Sequence, residues 1–133
     1  HHACVTGTLT LLDEARKAKV RRIVYAASSS AYGDIPASSK RETDLPAPIS
    51  PYGAAKLAAE YYLSAFASLG QIETVALRYL NIVPNHEPAR AGDVRESMAD
   101  LTLARQLLKY EPTVDFTEGL RRSIDYYLSI VKK

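Results

Sequence analysis

RRIVYAASSSAYGD, residues 21–34, is the stretch on which the fold turns. Residues 21–27 form a short apolar run of β-favouring side chains, the profile of a strand buried in a parallel sheet. Ser28, Ser29 and Ser30 stand directly after it. The C-terminal end of a strand is where open α/β sheets place their ligands. A polar loop then runs to about Pro48, holding Gly33, Pro36 and Pro46.

Upstream, residues 4–18 predict a helix with Leu9, Leu12 and Ala15 on one stripe, joined by Val5, and basic residues at its C-terminal end. Downstream, Ser50 is an N-cap and Pro51 fits the first helical position. PYGAAKLAAEYYLSAFASLG, residues 51–70, then predicts a long alanine-rich helix ending at Gly70. Its expected buried face is Leu57, Ala58, Tyr61, Ala65 and Leu69. Residues 73–80 predict a second strand. Helix, strand, loop, helix, strand is the rhythm of a doubly wound α/β sheet.

After Asn81 the composition changes, and residues 81–97 should be irregular. Two short helices are expected beyond. Residues 98–108 carry Leu101, Ala104, Leu107 and Leu108; residues 117–131 carry Leu120, Ile124, Tyr127, Leu128 and Val131, with Thr117 as cap. The expected division is therefore a partial Rossmann-like α/β domain over 1–83 and a small helical segment over 84–133. Two parallel strands are few for such a core, because strands of this kind expect cover on both faces and neighbours on both edges. A chain of this size should dimerise through its open sheet or be unstable alone.

The bulk numbers fit one modest globular chain: 133 residues, 47% hydrophobic, with a net charge of only +2. That balance gives no electrostatic case for a nucleic-acid or membrane-surface partner. No apolar run approaches a membrane span. The single cysteine, Cys4, fits a reducing cytoplasm and reads as a small, half-buried hydrophobe. His86 has no second ligand at metal spacing, so no metal is expected. The Tyr61–Tyr62 and Tyr126–Tyr127 pairs read as helix packing, and Arg121–Arg122 as a solvated face.

Tyr52 and Lys56 lie four apart and share one helix face. An ammonium beside a phenol favours the phenolate, and a phenolate can take a proton from a sugar hydroxyl. Alone this pair would be an ordinary surface contact. With Ser28 placed 24 residues earlier at a strand end, a hydroxyl could share a hydrogen bond with the phenol and a substrate.

AASSSAYGD, SPYGAAKLAAEYY and ETVALRYLN together resemble the extended short-chain dehydrogenase/reductase family, most nearly its UDP-hexose 4-epimerases and related NAD-dependent nucleotide-sugar enzymes. The resemblance implies a catalytic set of Ser28, Tyr52 and Lys56 around NAD, with Ser29 and Ser30 lining the site. It implies that Lys56 also bonds the nicotinamide ribose and that Tyr79 lies near the nicotinamide. Asn81 would contact the diphosphate of a UDP-sugar. PARAGDVRESMAD resembles a uridine-diphosphate clamp, in which Arg90 would meet a phosphate and Asp93 the ribose. In such an enzyme Tyr52 takes the sugar 4-hydroxyl proton while hydride leaves C4 for NAD, the 4-keto sugar turns, and hydride returns to its other face.

The sequence departs from the family pattern in two places. Its glycines, at 7, 33, 53, 70, 92 and 119, never form the GxxGxxG that grips a pyrophosphate. Pro84 and the RAGD of Arg90–Asp93 nearly touch, where the family inserts a long stretch. The expectation is a truncated member in which NAD binding and turnover by the chain alone are weak or absent. A UDP-glucuronate epimerase or decarboxylase and a sugar-nucleotide dehydratase are alternatives within the enzyme class, although the serine loop lacks the acidic pair usual in dehydratases. Outside that class stands a non-catalytic, self-associating α/β remnant.

Overall fold

The computed structural model describes residues 1–36, 39–80 and 98–131. The chain falls into two compact units, His1–Asp100 and Leu101–Lys133.

In the first unit a π-helical turn, His2–Thr6, leads into α1, Gly7–Lys17. The buried stripe is Val5, Leu12 and Ala15. Leu9, expected on that stripe, is instead exposed. Helical spacing from Val5 to Leu12 passes through Thr8, whose hydroxyl donates to the Cys4 carbonyl at 2.7 Å. Leu9 therefore sits a step round the helix from the core.

Strand β1, Arg22–Ser28, pairs in parallel with β2, Glu73–Tyr79, in a register that sets Arg22 opposite Glu73 and Ser28 opposite Tyr79. The expected partial doubly wound sheet is present as this parallel pair with its helices. Ile23 and Tyr25 of β1 pack against a core of Leu12, Ala15, Leu63 and Ile72. The alternation of a strand turns Val24 to the other face, where it is 61% exposed.

Helix α2, Pro51–Ser68, begins as the sequence predicts: the Ser50 hydroxyl accepts the Gly53 amide at 3.1 Å and Pro51 opens the first turn. Its buried residues are Gly53, Leu57, Ala59, Glu60 and Leu63. This corrects the expected face. Only Leu57 of that set is buried, Ala58 is half-buried, Ala65 is exposed, and Tyr61 and Leu69 are 62% and 70% exposed. The reason lies in the composition of the helix, which is apolar on nearly every side, so periodicity alone could not choose between faces. The choice falls to the stripe carrying Gly53, the one residue there that can approach the serine turn closely.

Between β1 and α2 the chain makes a 3-10 turn, Ser29–Ala31. Gly33 has φ +70° and lies against the Ala47 carbonyl so closely that no side chain fits. Lys40 is buried, donates to the Ile35 carbonyl at 2.7 Å, and bridges in parallel to Ala99.

The second unit holds α3, Thr102–Leu108, and α4, Phe116–Val131. The expected start of the first, at residue 98, is corrected to Thr102: backbone bonds of Met98 and Asp100 to Lys40 hold the preceding segment extended. Asp115, not Thr117, caps α4, its carboxylate accepting the Glu118 amide at 2.9 Å. Leu120, Ile124, Tyr127 and Leu128 of α4 are exposed. The tyrosine pairs expected to pack are likewise exposed, Tyr126 and Tyr127 meeting edge to face at 5.5 Å. Among the described residues no helix is long and apolar enough to cross a membrane.

Candidate active site at the C-terminal end of the sheet

β1 delivers Ser28 buried at its last position, with the 3-10 turn starting on the next residue. The Ser28 hydroxyl accepts the Ser30 amide at 3.2 Å, which orients it while leaving its own proton to donate. Ser29 is buried behind it and Ser30 is half-buried. Tyr79, the register partner of Ser28, ends β2 with its ring exposed. The two strand ends therefore bring Ser28 and Tyr79 side by side.

Helix α2 reaches this end of the sheet because Gly53 allows it. A methyl group at that position would lie 2.5 Å from the Ser30 carbonyl oxygen and 3.2 Å from the Pro48 side chain. The first turn of α2 thus lies directly on the serine turn. Tyr52 precedes that contact by one residue and is 53% exposed. One turn on, the Lys56 ammonium donates to the Ala26 carbonyl of β1 at 2.8 Å. It sits 4.8 Å from the Tyr25 ring centroid and 5.9 Å from that of Tyr52. An ammonium carries three N–H donors, so two remain beyond the bond to Ala26.

The structure thus gathers Ser28, Ser29, Ser30, Tyr52, Lys56 and Tyr79 at one end of the sheet. Asn81, Arg90 and Asp93 lie outside the described residues.

Two features escape a reading of the sequence. The first is Tyr25, whose ring underlies Lys56 and whose hydroxyl is buried with no hydrogen-bond partner among the described residues. Its alternate position in the strand puts it on the helix-covered face, but nothing in the sequence ties it to Lys56. The second is a cluster of Arg78, Glu60 and Tyr32. The Arg78 guanidinium makes bonds of 2.7 to 3.1 Å to both Glu60 oxygens and stacks 4.4 Å from the Tyr32 ring centroid. Burial pushes the Tyr32 phenol up, although its bond with Arg78 works the other way. Burial alone would lower Arg78, but Glu60 and Tyr32 outweigh it and its affinity for its proton rises. The available signal is Glu60 lying four residues beyond Lys56 on a shared helix line.

A parallel α/β unit with a strand-end serine and a Tyr-x-x-x-Lys helix facing it defines a Rossmann-like class of protein. The sequence signature of the NAD dependent epimerase/dehydratase family matches residues 1–121, and the chain belongs to that family. It is 40% identical over 91 residues to a UDP-glucose 4-epimerase of Erwinia amylovora, covering 67% of this chain and 27% of that one. It is 30% identical over 134 residues to a putative UDP-glucose 4-epimerase of Methanocaldococcus jannaschii, covering 97% of this chain and 41% of that one. The fold matches a crystal structure of UDP-glucuronic acid 4-epimerase from Bacillus cereus in complex with UDP-glucuronic acid and NAD. That match has a TM-score of 0.82 at 19% identity, covering 96% of this chain and 68% of the other. The chain thus spans about a quarter of the length of the first of these relatives.

Proposed function

We propose that this chain carries the acid–base half of an NAD-dependent nucleotide-sugar 4-epimerase, with Tyr52 as the base. The observation that carries this reading is the convergence of three groups at one end of the sheet. Ser28 is held by Ser30, Lys56 is held by Ala26, and Tyr52, one turn before Lys56, stays exposed. The named relatives, 4-epimerases of UDP-sugars, support the same reading.

The residues present fit one end of NAD. Lys56 keeps two donors for a ribose diol, and Tyr52 and Tyr79 are both exposed. The chemistry NAD supplies when bound is reversible hydride uptake at a sugar carbon. The protein's part is proton handling and orientation. The Tyr52 phenolate accepts the 4-hydroxyl proton as the carbonyl forms and returns it when the hydroxyl is restored. The Lys56 ammonium stands 5.9 Å from the Tyr52 ring centroid, and the Ser28 hydroxyl donates to the developing carbonyl oxygen. Ser29 and Ser30 line the sugar side, and Asn81, Arg90 and Asp93 are the proposed diphosphate and ribose ligands. A homodimer and a cytoplasmic setting belong to the same reading, the single cysteine being in keeping with the latter.

The test is a chimaera in which residues 22–80 replace the matching stretch of the Erwinia enzyme. Interconversion of UDP-glucose and UDP-galactose is expected, falling about 10²- to 10⁴-fold on Tyr52→Phe, as loss of a general base does. A folded chimaera that binds NAD yet turns over no UDP-sugar, with or without Tyr52, would refute the assignment.

A second reading is a non-catalytic, self-associating α/β module. The exposed Val24 face favours it. Native mass and an NAD titration on the 133-residue chain separate the two. A dimer blind to NAD supports the module, and a complex that carries NAD supports the enzyme.

A further inference from the structure

We infer that Arg78 is a positioning residue for this site, tying the serine turn and the Tyr52–Lys56 face of α2 to the sheet as one unit. Three elements meet on its guanidinium. Nε and Nη2 donate to the Glu60 carboxylate of α2 at 2.7 to 3.1 Å. Its Cζ lies over the ring of Tyr32, 4.4 Å from the centroid, and Tyr32 is buried at the end of the serine turn. Arg78 itself lies on β2 opposite Ala27, the residue before Ser28.

The placement of Glu60 gives the cluster its meaning. Tyr52, Lys56 and Glu60 follow one another at successive turns of α2, so they share one line along the helix. That line is pinned twice: by Lys56 to β1 at Ala26, and by Glu60 to β2 at Arg78. The pair is largely buried, its side chains 17% and 10% exposed. Two charges so placed add little stability beyond what apolar side chains of similar volume would give. What they add is direction, because a planar fork accepts a carboxylate in one orientation and stacks on an aromatic ring in one plane. A lysine keeps the charge and loses both constraints.

This inference rests on the proposed active site only for what the positioned groups then do; the positioning is measured without NAD or sugar. Amide hydrogen exchange would be followed in the 133-residue chain and in Arg78→Lys, Arg78→Met and the paired replacement Glu60→Leu/Arg78→Met. The reporting amides are Ser30, bonded to the Ser28 hydroxyl, Tyr32, bonded to the Ser29 carbonyl, and Gly53, bonded to the Ser50 hydroxyl. Leu12 and Ala15 of α1 serve as references. In Arg78→Lys the reporting amides are expected to exchange about ten-fold faster relative to α1, a local opening rather than a global one. The paired apolar replacement is expected to recover the melting temperature without recovering that protection. Uniform acceleration across α1 and the serine turn, or full recovery of the turn by the apolar pair, would overturn the inference. If Arg78→Met does not fold, Arg78→Lys and the apolar pair still decide the question. In the active chimaera, Arg78→Lys should lower kcat by about ten-fold or more with KM little changed, as small misplacements of reacting groups do. A chimaera that folds and binds NAD yet is inactive from the outset would refute the epimerase reading and leave the exchange result standing.

Discussion

At the scale of single residues, the site is built on polar atoms that have been given one partner and left room for another. Ser28 accepts one bond, and Lys56 spends one of its three donors. Tyr25 is the contrasting case, its hydroxyl buried with no partner among the described residues. Leaving such a group unsatisfied costs about 1–3 kcal/mol, so Tyr25→Phe should be neutral or stabilising by up to roughly that amount. A urea melt checks this, and a clear loss of stability would show that the hydroxyl has a role. Glu60→Ala is expected to act in the opposite direction. It leaves the Arg78 guanidinium largely buried without its counter-ion and should cost about 3 kcal/mol, the low end for a broken buried pair. The same melt reads it.

At the scale of elements, one close contact decides where α2 begins relative to β1. In an open helix Gly→Ala stabilises by about 1 kcal/mol. At Gly53 the added methyl would meet the Ser30 carbonyl at 2.5 Å, so the turn and the helix must part. Gly53→Ala should therefore destabilise by about 1–3 kcal/mol, in the range of overpacking. It should also release the Ser30 amide, a change visible as faster exchange at that residue. Helix α4 is held differently, by charge in its first turn. Bonds from Arg121, then Arg122, hold the Glu118 carboxyl below the usual glutamate range. A depressed folded value means that the stabilisation is present above the unfolded value and lost as pH falls through the folded one. Helical circular dichroism should accordingly decline on acidification below the ordinary glutamate range, and Glu118→Gln should flatten that part of the decline.

At the scale of the molecule, the first unit is a two-stranded parallel sheet covered by helices on the face of Ile23 and Tyr25. Among the described residues both strands are edges, and Val24 is exposed on the other face. Edges and open faces of this kind invite pairing with another chain. Self-association is therefore expected to grow with concentration, and Val24→Lys should raise the monomer fraction in sedimentation velocity. A chain that stays monomeric at high concentration with Val24 intact would contradict this.

The elements of the first unit and their order are legible in the amino-acid sequence. An apolar β-favouring run ending in serines marks a strand leading to a turn, and Ser-Pro before an alanine-rich stretch marks the opening of a helix. The spacing of Tyr52 and Lys56 likewise puts both on one helix face from local geometry alone. Packing, by contrast, selects which face of α2 is buried, because a helix apolar on nearly all sides carries no periodic signal to choose by. Packing also keeps residues 98–101 out of the helix through backbone bonds to Lys40, whereas the Asp115 cap of α4 is a local bond to the amide three residues on, a signal the sequence itself carries. The meeting of Arg78 with Glu60 and Tyr32 joins positions far apart along the chain, and only tertiary contacts bring them together. Local signals act over a few residues, whereas the geometry of the site is set by contacts between elements, which sequence spacing does not encode.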